Sequence, residues 1–193
     1  MKDALKIIEN EHRSLAAILH GMYYLVERLR AGSNHPNFDA FRAMLYYLDT
    51  FSERLHHPKE DEFLFQPLRA RTGAADALIS ELEHEHAYGA AAIRSLEQAL
   101  LRYEAGGEGE FVAFATAVEG FCDFYAEHMH KEETLVLPLA ENLFTDEDWG
   151  RIDAAFSANR DPLVGVDEDQ EFRHLFSRIV SLVPASMGAG PPE

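Results

Sequence analysis

The sequence is poor in cysteine, in cationic side chains and in long apolar runs. Cys122 is the only cysteine among 193 residues, which excludes an internal disulfide framework and zinc sites built from several thiolates. No apolar run approaches the length of a membrane span, and the N-terminal residues enter an amphipathic pattern rather than an apolar signal core. We therefore expect a protein of the reducing cytoplasm that does not enter a membrane.

The shortage of cations also limits the partners. The chain has 17 Lys and Arg against 34 Asp and Glu, which gives a formal net charge of −17. This excess repels the phosphates of nucleic acids and of acidic membrane surfaces, so neither is expected as a partner. Hydrophobic residues make up 47% of the chain, which is typical of a globular protein with a sizeable core.

A short motif, His-x-x-x-Glu, occurs twice. It runs from His56 to Glu60 and again from His128 to Glu132, each time with a lysine before the glutamate and a second acid after it. Residues four apart on an α-helix lie about 40° from each other around the axis. Each copy can therefore direct an imidazole and a carboxylate toward the same point.

Apolar residues recur at spacings of three and four through most of the chain, which predicts helices. We expect four long helices at about 3–31, 37–71, 74–103 and 109–142, a short helix after Thr145 that ends near 158, and another over 169–183. Pro58 predicts a kink within the first motif copy, whereas the second copy is expected to be regular.

Short connections between the long helices predict antiparallel neighbours. The predicted fold is all-α, an antiparallel up-down four-helix bundle over residues 1–143 with additional C-terminal helices. Residues 144–183 are expected to form a helical extension packed on the bundle, and residues 184–193 a disordered tail.

The two halves of the bundle repeat one another. Helix one carries His12 within its apolar stripe, helix three carries His86 in the same way, and each histidine follows a glutamate. An ionised carboxylate on an apolar face is costly to bury unless it is paired or bound to a cation. We therefore predict a metal site with pseudo-two-fold symmetry, in which four histidines supply nitrogens and two glutamates supply bridging carboxylates: His12, His56, His86, His128, Glu60 and Glu132.

Imidazole with carboxylate suits iron, manganese or zinc. Six side chains do not fill two octahedral ions, so the remaining positions would hold water, oxo or hydroxo bridges, or a small diatomic ligand. Three further histidines, His57, His84 and His130, lie off the inferred faces and are expected to be solvated or to support the ligands from outside. Asp61 and Glu133 either accept hydrogen bonds from ligand imidazoles or are solvated.

At these motifs the chain resembles the hemerythrin-like (HHE cation-binding) domain family over about residues 1–143. The resemblance implies a non-haem di-iron centre with carboxylate and oxygen bridges. The oxygen-carrying hemerythrins have a His-x-x-x-His pair on the third helix, and here Ala90 stands at that spacing after His86. Those carriers also use a carboxylate five residues after the fourth-helix histidine, which would be Glu133, whereas the internal repeat favours Glu132.

Three functions remain open from the sequence. The first is a di-iron protein that binds, senses or detoxifies oxygen, peroxide or nitric oxide, with a redox partner that the sequence does not identify. The second is an oxidase or peroxidase of the ferritin-like di-iron class, because Glu9, Glu53 and Glu83 each precede a histidine at the Glu-x-x-His spacing. The third is a metal-free helical adaptor. Apolar surface after Leu143 would suit a homodimer.

Overall fold

The computed structural model describes residues 3–32 and 35–159, and within them every regular element is a helix. The α-helical segments are α1 (Asp3–Arg30), α2 (Phe38–Tyr47), α3 (His57–Lys59), α4 (Gln66–Arg69), α5 (Asp76–Gly106), α6 (Phe111–Lys131), α7 (Leu137–Leu143) and α8 (Asp146–Phe156). Segments α2 to α4 belong to one continuous helical rod over residues 38–69, and α6 and α7 belong to another over residues 111–143. The all-α prediction is therefore confirmed.

The ends of the long helices follow local chemistry. Gly32 adopts a φ of 93° after α1, and Gly107 adopts a φ of 68° after α5. Such positive φ angles are accessible to glycine without steric cost. At the start of α2 the side chain of Asn37 accepts a hydrogen bond from the amide of Ala40, which satisfies one of the donors that a helix start leaves unpaired.

Three π-helical segments interrupt the two rods that carry the His-x-x-x-Glu motifs. They are Leu48–His56, Glu60–Phe65 and Glu132–Val136. Each is followed directly by an α-helical segment with a proline in its first two positions. These prolines are Pro58, Pro67 and Pro138.

The π-helical turns are explained by the prolines. A proline lacks an N–H and crowds the carbonyl four residues earlier, so the regular i→i−4 ladder cannot pass through it. The residue before Pro58 instead donates its amide to the carbonyl of Ser52, five residues back. Pro138 is preceded in the same way by Glu132–Val136. The second motif copy itself stays α-helical, because α6 extends to Lys131 and the amide of Glu132 donates to the carbonyl of His128, four residues back. The π-helical turn on this rod begins only at Glu132.

The apolar core is divided into two clusters along the bundle. The larger cluster includes Leu15, Phe41, Leu96 and Phe114, and the smaller includes Ile8, Leu64, Ile79 and Phe156. Along each of the four long helical rods, the predicted metal-site residues lie between a stretch that belongs to one cluster and a stretch that belongs to the other. They are the main polar groups buried in the bundle. The site is thus a polar layer enclosed by apolar layers on both sides.

Helix α8, the short helix predicted after Thr145, begins with a capping box. The Thr145 side chain accepts from the amide of Asp148, and the Asp148 side chain accepts from the amide of Thr145. The helix packs on α1 and buries Trp149, Ile152 and Phe156 against the smaller apolar cluster. The helix predicted over 169–183 and the predicted disordered tail lie outside the described residues.

None of the described helices is both long and apolar enough to cross a membrane.

Two helical glycines provide a matched test of the packing. A Cβ added to Gly89 in α5 would lie 2.5 Å from both carboxylate oxygens of Glu53, whereas one added to Gly120 in α6 would meet nothing within 4 Å. Alanine is favoured over glycine in a helix by about 1 kcal/mol. We expect Gly120→Ala to raise the free energy of unfolding by about that amount, and Gly89→Ala to lower it because Glu53 must move. Urea unfolding followed by circular dichroism measures both, and equal gains in both variants would contradict the packing.

Candidate metal centre

The four predicted histidines meet as two pairs in the centre of the bundle. The Nε2 atoms of His12 and His56 are 3.1 Å apart, and those of His86 and His128 are also 3.1 Å apart. Two nitrogens held at about 2.1 Å from one ion with adjacent bonds at about 90° would be separated by about 3 Å. Each pair is therefore spaced to bind a single cation, and we call these pairs the first and second half-sites.

The two predicted glutamates lie between the half-sites. One oxygen of Glu60 is 3.3 Å from Nε2 of His56 and 3.6 Å from Nε2 of His12. Its other oxygen is 3.7 Å from Nε2 of His86. Each half-site therefore receives one oxygen from Glu60, as a bridging carboxylate requires.

Glu132 divides its oxygens in the same way. One oxygen is 3.3 Å from Nε2 of His128 and 3.5 Å from Nε2 of His86, and the other is 3.4 Å from Nε2 of His12. Glu133, the alternative carboxylate, instead lies 3.0 Å from Nδ1 of His12 with its side chain 45% exposed. Glu132 is thus the carboxylate directed into the site.

The two carboxylates are fully buried, and none of their four oxygens has a hydrogen-bond partner among the described residues. Burying an ionised carboxylate without hydrogen bonds costs several kcal/mol unless a cation compensates it. The oxygens face the Nε2 atoms at distances that would let both groups contact the same ion. Hard oxygen and imidazole donors together suit iron, manganese or zinc, so the residues present fit the predicted metals.

A carboxylate holds the outer nitrogen of each of the four histidines. Nδ1 of His12 donates to Glu133 at 3.0 Å. The other three donate to their carboxylates at 2.8 Å, His56 to Glu11, His86 to Asp61 and His128 to Glu85. Because a carboxylate only accepts, Nδ1 keeps its proton, and Nε2 is the nitrogen of each ring that faces the site.

These outer partners were only partly predicted. The sequence allows Asp61 and Glu133 either a supporting role or solvation, and in the structure both contact the site imidazoles. Glu11 and Glu85 belong to the internal repeat, but the sequence predicts no role for them. Each precedes a site histidine in sequence but contacts the histidine of the neighbouring rod, His56 or His128.

The surrounding carboxylates also control protonation. Burial opposes a charge on His12, but the hydrogen bond with Glu133 and the nearby carboxylates of Glu60 and Glu132 outweigh it and raise the pKa of His12 to about 10. Burial likewise opposes a charge on His86, but the hydrogen bond with Asp61 and the two inner glutamates raise its pKa to about 10. Protons on these histidines therefore balance the buried carboxylates until a cation takes their place.

The comparison with protein families agrees with this geometry. The model of the hemerythrin HHE cation-binding domain matches residues 3–140. The chain belongs to this family. No curated protein and no solved structure gave a match. The family assignment and the buried His and Glu clusters together indicate a cation-binding protein of the HHE type.

The structure adds a histidine that the sequence did not place in this HHE site. His57 is 4% exposed, and its ring stacks on that of His86 with centroids 4.1 Å apart and planes 9° apart. Ligand-capable atoms of His57, Glu60, His86 and His128 all lie within 4.8 Å of one another. Burial and the neighbouring imidazoles hold the pKa of His57 well below its usual value, so it remains neutral, as a metal ligand must be.

The local helix geometry explains why His57 was missed. An α-helical wheel directs His57 away from His56, but the π-helical segment Leu48–His56 has a wider turn that changes this direction. His84 and His130, for which the sequence predicts the same roles as for His57, are exposed. Pro58, which directly follows His57, is the sequence signal that could have separated it from the other two histidines.

Two further polar groups lie beside His57. Its Nε2 is 3.1 Å from the hydroxyl of Ser52, and its Nδ1 is 3.4 Å from Glu53 without hydrogen-bond geometry. The hydroxyl of Tyr125 donates to Glu53. Burial raises the pKa of Glu53 and, together with the charge of Glu53, raises that of Tyr125 well above its usual value. The hydrogen-bonded pair of Glu53 and Tyr125 therefore borders the second half-site. The described contacts of the first half-site include no such pair.

His57 can be tested against its two exposed counterparts. If His57 supplies a ligand, His57→Gln weakens metal binding by about 10-fold or more, whereas His84→Gln and His130→Gln leave the affinity unchanged. The measurement is a cobalt(II) titration of the metal-free protein in competition with a chelator. An unchanged affinity in His57→Gln would show that this side chain only packs against the site.

Proposed function

We propose that this protein binds two iron ions, one in each half-site, and that the di-iron centre binds, senses or detoxifies a small oxidant such as oxygen, peroxide or nitric oxide. The observation that carries the proposal is the division of Glu60 and Glu132, because each offers one oxygen to each half-site and neither has another partner among the described residues. Such sharing suits two cations better than one.

The choice of iron follows from the donors and the family. Histidine with bridging carboxylates is a ligand set that iron, manganese and zinc can share, and the resemblance to hemerythrins favours iron among them. Two bound irons would supply electrons by changing between the ferrous and ferric states and would offer a coordination position to the oxidant. Manganese or zinc would fit the same side chains without the same redox chemistry.

The protein side chains would hold and orient this centre. Glu60 and Glu132 would fix the separation of the two ions, and the carboxylates on Nδ1 of the histidines would keep each Nε2 directed inward. All six predicted ligands are buried, and apolar clusters enclose them on both sides. A substrate of the site must therefore be small, which favours diatomic molecules and peroxide over organic substrates.

The ferritin-like enzyme alternative has less support. It depends on carboxylates of the Glu-x-x-His spacing, but Glu9 is exposed and Glu83 pairs with Arg69 at 2.9 and 3.0 Å. Glu53 is the nearest of the three, and its carboxylate is bound by Tyr125. None of these oxygens is directed between the half-sites, whereas Glu60 and Glu132 are.

The first test is metal content. Protein purified without added metal, or reconstituted anaerobically with ferrous iron, is expected to contain about two irons per chain. Glu132→Gln keeps the shape but removes the charge of a bridging carboxylate, so we expect it to lose at least one iron. Glu127→Gln, on the exposed face of α6, is the matched control and should retain both. Elemental analysis and the visible spectrum measure these outcomes.

The second test separates the functions. The reduced protein is mixed anaerobically with oxygen, hydrogen peroxide or nitric oxide, and the spectral change is followed by stopped flow. A fast change with one oxidant that is lost in Glu132→Gln supports the proposal and identifies the ligand. Zinc or a single metal would remove the redox proposal, and absence of metal after reconstitution would favour a metal-free adaptor.

A further inference from the structure

The end of α8 touches the first half-site from outside the matched HHE residues. Phe156 presents its ring edge-on to His56, with centroids 6.2 Å apart. Asn159 follows in a turn in which its amide donates to the carbonyl of Phe156 at 2.8 Å. The matched residues end at 140, so this contact is made by a part of the chain that the family domain does not include.

The side chain of Asn159 is inserted between two charged groups. Its Nδ2 donates to both oxygens of Glu11, at 2.9 and 3.2 Å, and its Oδ1 accepts from Nζ of Lys59. A carboxylate only accepts and an ammonium only donates, so these partners permit a single orientation of the amide. Lys59 also donates to the carbonyl of Ala155 at 2.8 Å. This hydrogen bond attaches the C-terminal end of α8 to the rod that carries Lys59.

Among the described residues, no side chain is inserted in this way at the second half-site. Lys131 occupies the place in its motif that Lys59 occupies in the first, and it donates directly to Glu85 at 2.6 Å. Glu85 holds His128, as Glu11 holds His56. The side chain of Glu11 is 3% exposed and that of Glu85 is 17% exposed. An amide thus separates carboxylate from lysine in one half, and a direct ion pair joins them in the other.

We propose that Asn159 is a positioning residue that acts through Glu11 on His56 and strengthens metal binding in the first half-site alone; this inference rests on the proposed function. A neutral amide fixes Glu11 without neutralising it, so more of the carboxylate charge acts on the Nδ1–H of His56 and makes its Nε2 a stronger donor. Lys131 draws part of that charge away from His128. The two half-sites therefore differ in donor strength despite their matching ligands.

The test uses cobalt(II) as the probe and the full chain as the protein. We expect two binding steps in chelator competition. Asn159→Ala weakens one step by about 10- to 100-fold and leaves the other within about 2-fold. Asn159→Asp weakens the same step further, because it turns a second carboxylate toward Glu11. Asn142→Ala, which removes an exposed amide that donates to the carbonyl of Pro138 and lies away from the site, changes neither step.

A second readout does not depend on metal. In metal-free protein labelled with nitrogen-15 at histidine, the Nδ1 proton of His56 should exchange faster with solvent in Asn159→Ala, whereas that of His128 should not change. Equal weakening of both cobalt-binding steps would overturn the inference. So would Asn159→Ala protein in which neither step is weakened and the exchange of the His56 proton is unchanged. Wild-type protein that binds no cobalt would overturn the proposed function, and the His56 signal would still decide whether Asn159 holds Glu11.

Discussion

The burial of two carboxylates between two pairs of imidazoles is the constraint on which the rest of the structure depends. Glu60 and Glu132 have no hydrogen-bond partners among the described residues and face the histidine nitrogens. In a dry interior such groups are tolerable only when positive charge, from protons or metal ions, lies between them. The carboxylates around the histidines, the apolar layers on both sides and the cover supplied by α8 all follow from keeping that charge in place.

Much of this site could be predicted because its residues obey helical periodicity. His12 and His86 continue apolar stripes, and the paired motifs place a carboxylate one turn after a histidine, so six side chains could be named from spacing alone. Membership of the HHE family is confirmed by the match over residues 3–140. The assignment of those six side chains as ligands stays a prediction until a metal is measured.

What spacing could not predict depends on departures from the α-helix and on contacts between distant segments. His57 reaches the second half-site because π-helical turns precede Pro58, and an α-helical wheel directs it elsewhere. Glu11 and Glu85 support histidines on neighbouring rods, and no periodicity within one helix records such a contact. Asn159 is separated from Glu11 by most of the chain, so only the packing of α8 reveals the pair.

The distribution of charge around the site bears on the redox chemistry that we propose for it. Four carboxylates contact the outer nitrogens of the histidines and two more lie between the half-sites. Ferric ions carry more charge than ferrous ions, and a shell rich in carboxylates stabilises the higher charge without a large rearrangement. Lys131 weakens this effect in the second half-site because it pairs with Glu85. In the first half-site the amide of Asn159 lies between Lys59 and Glu11. A di-iron centre in this shell would therefore have two inequivalent irons, and the one held by His56 would be the easier to oxidise.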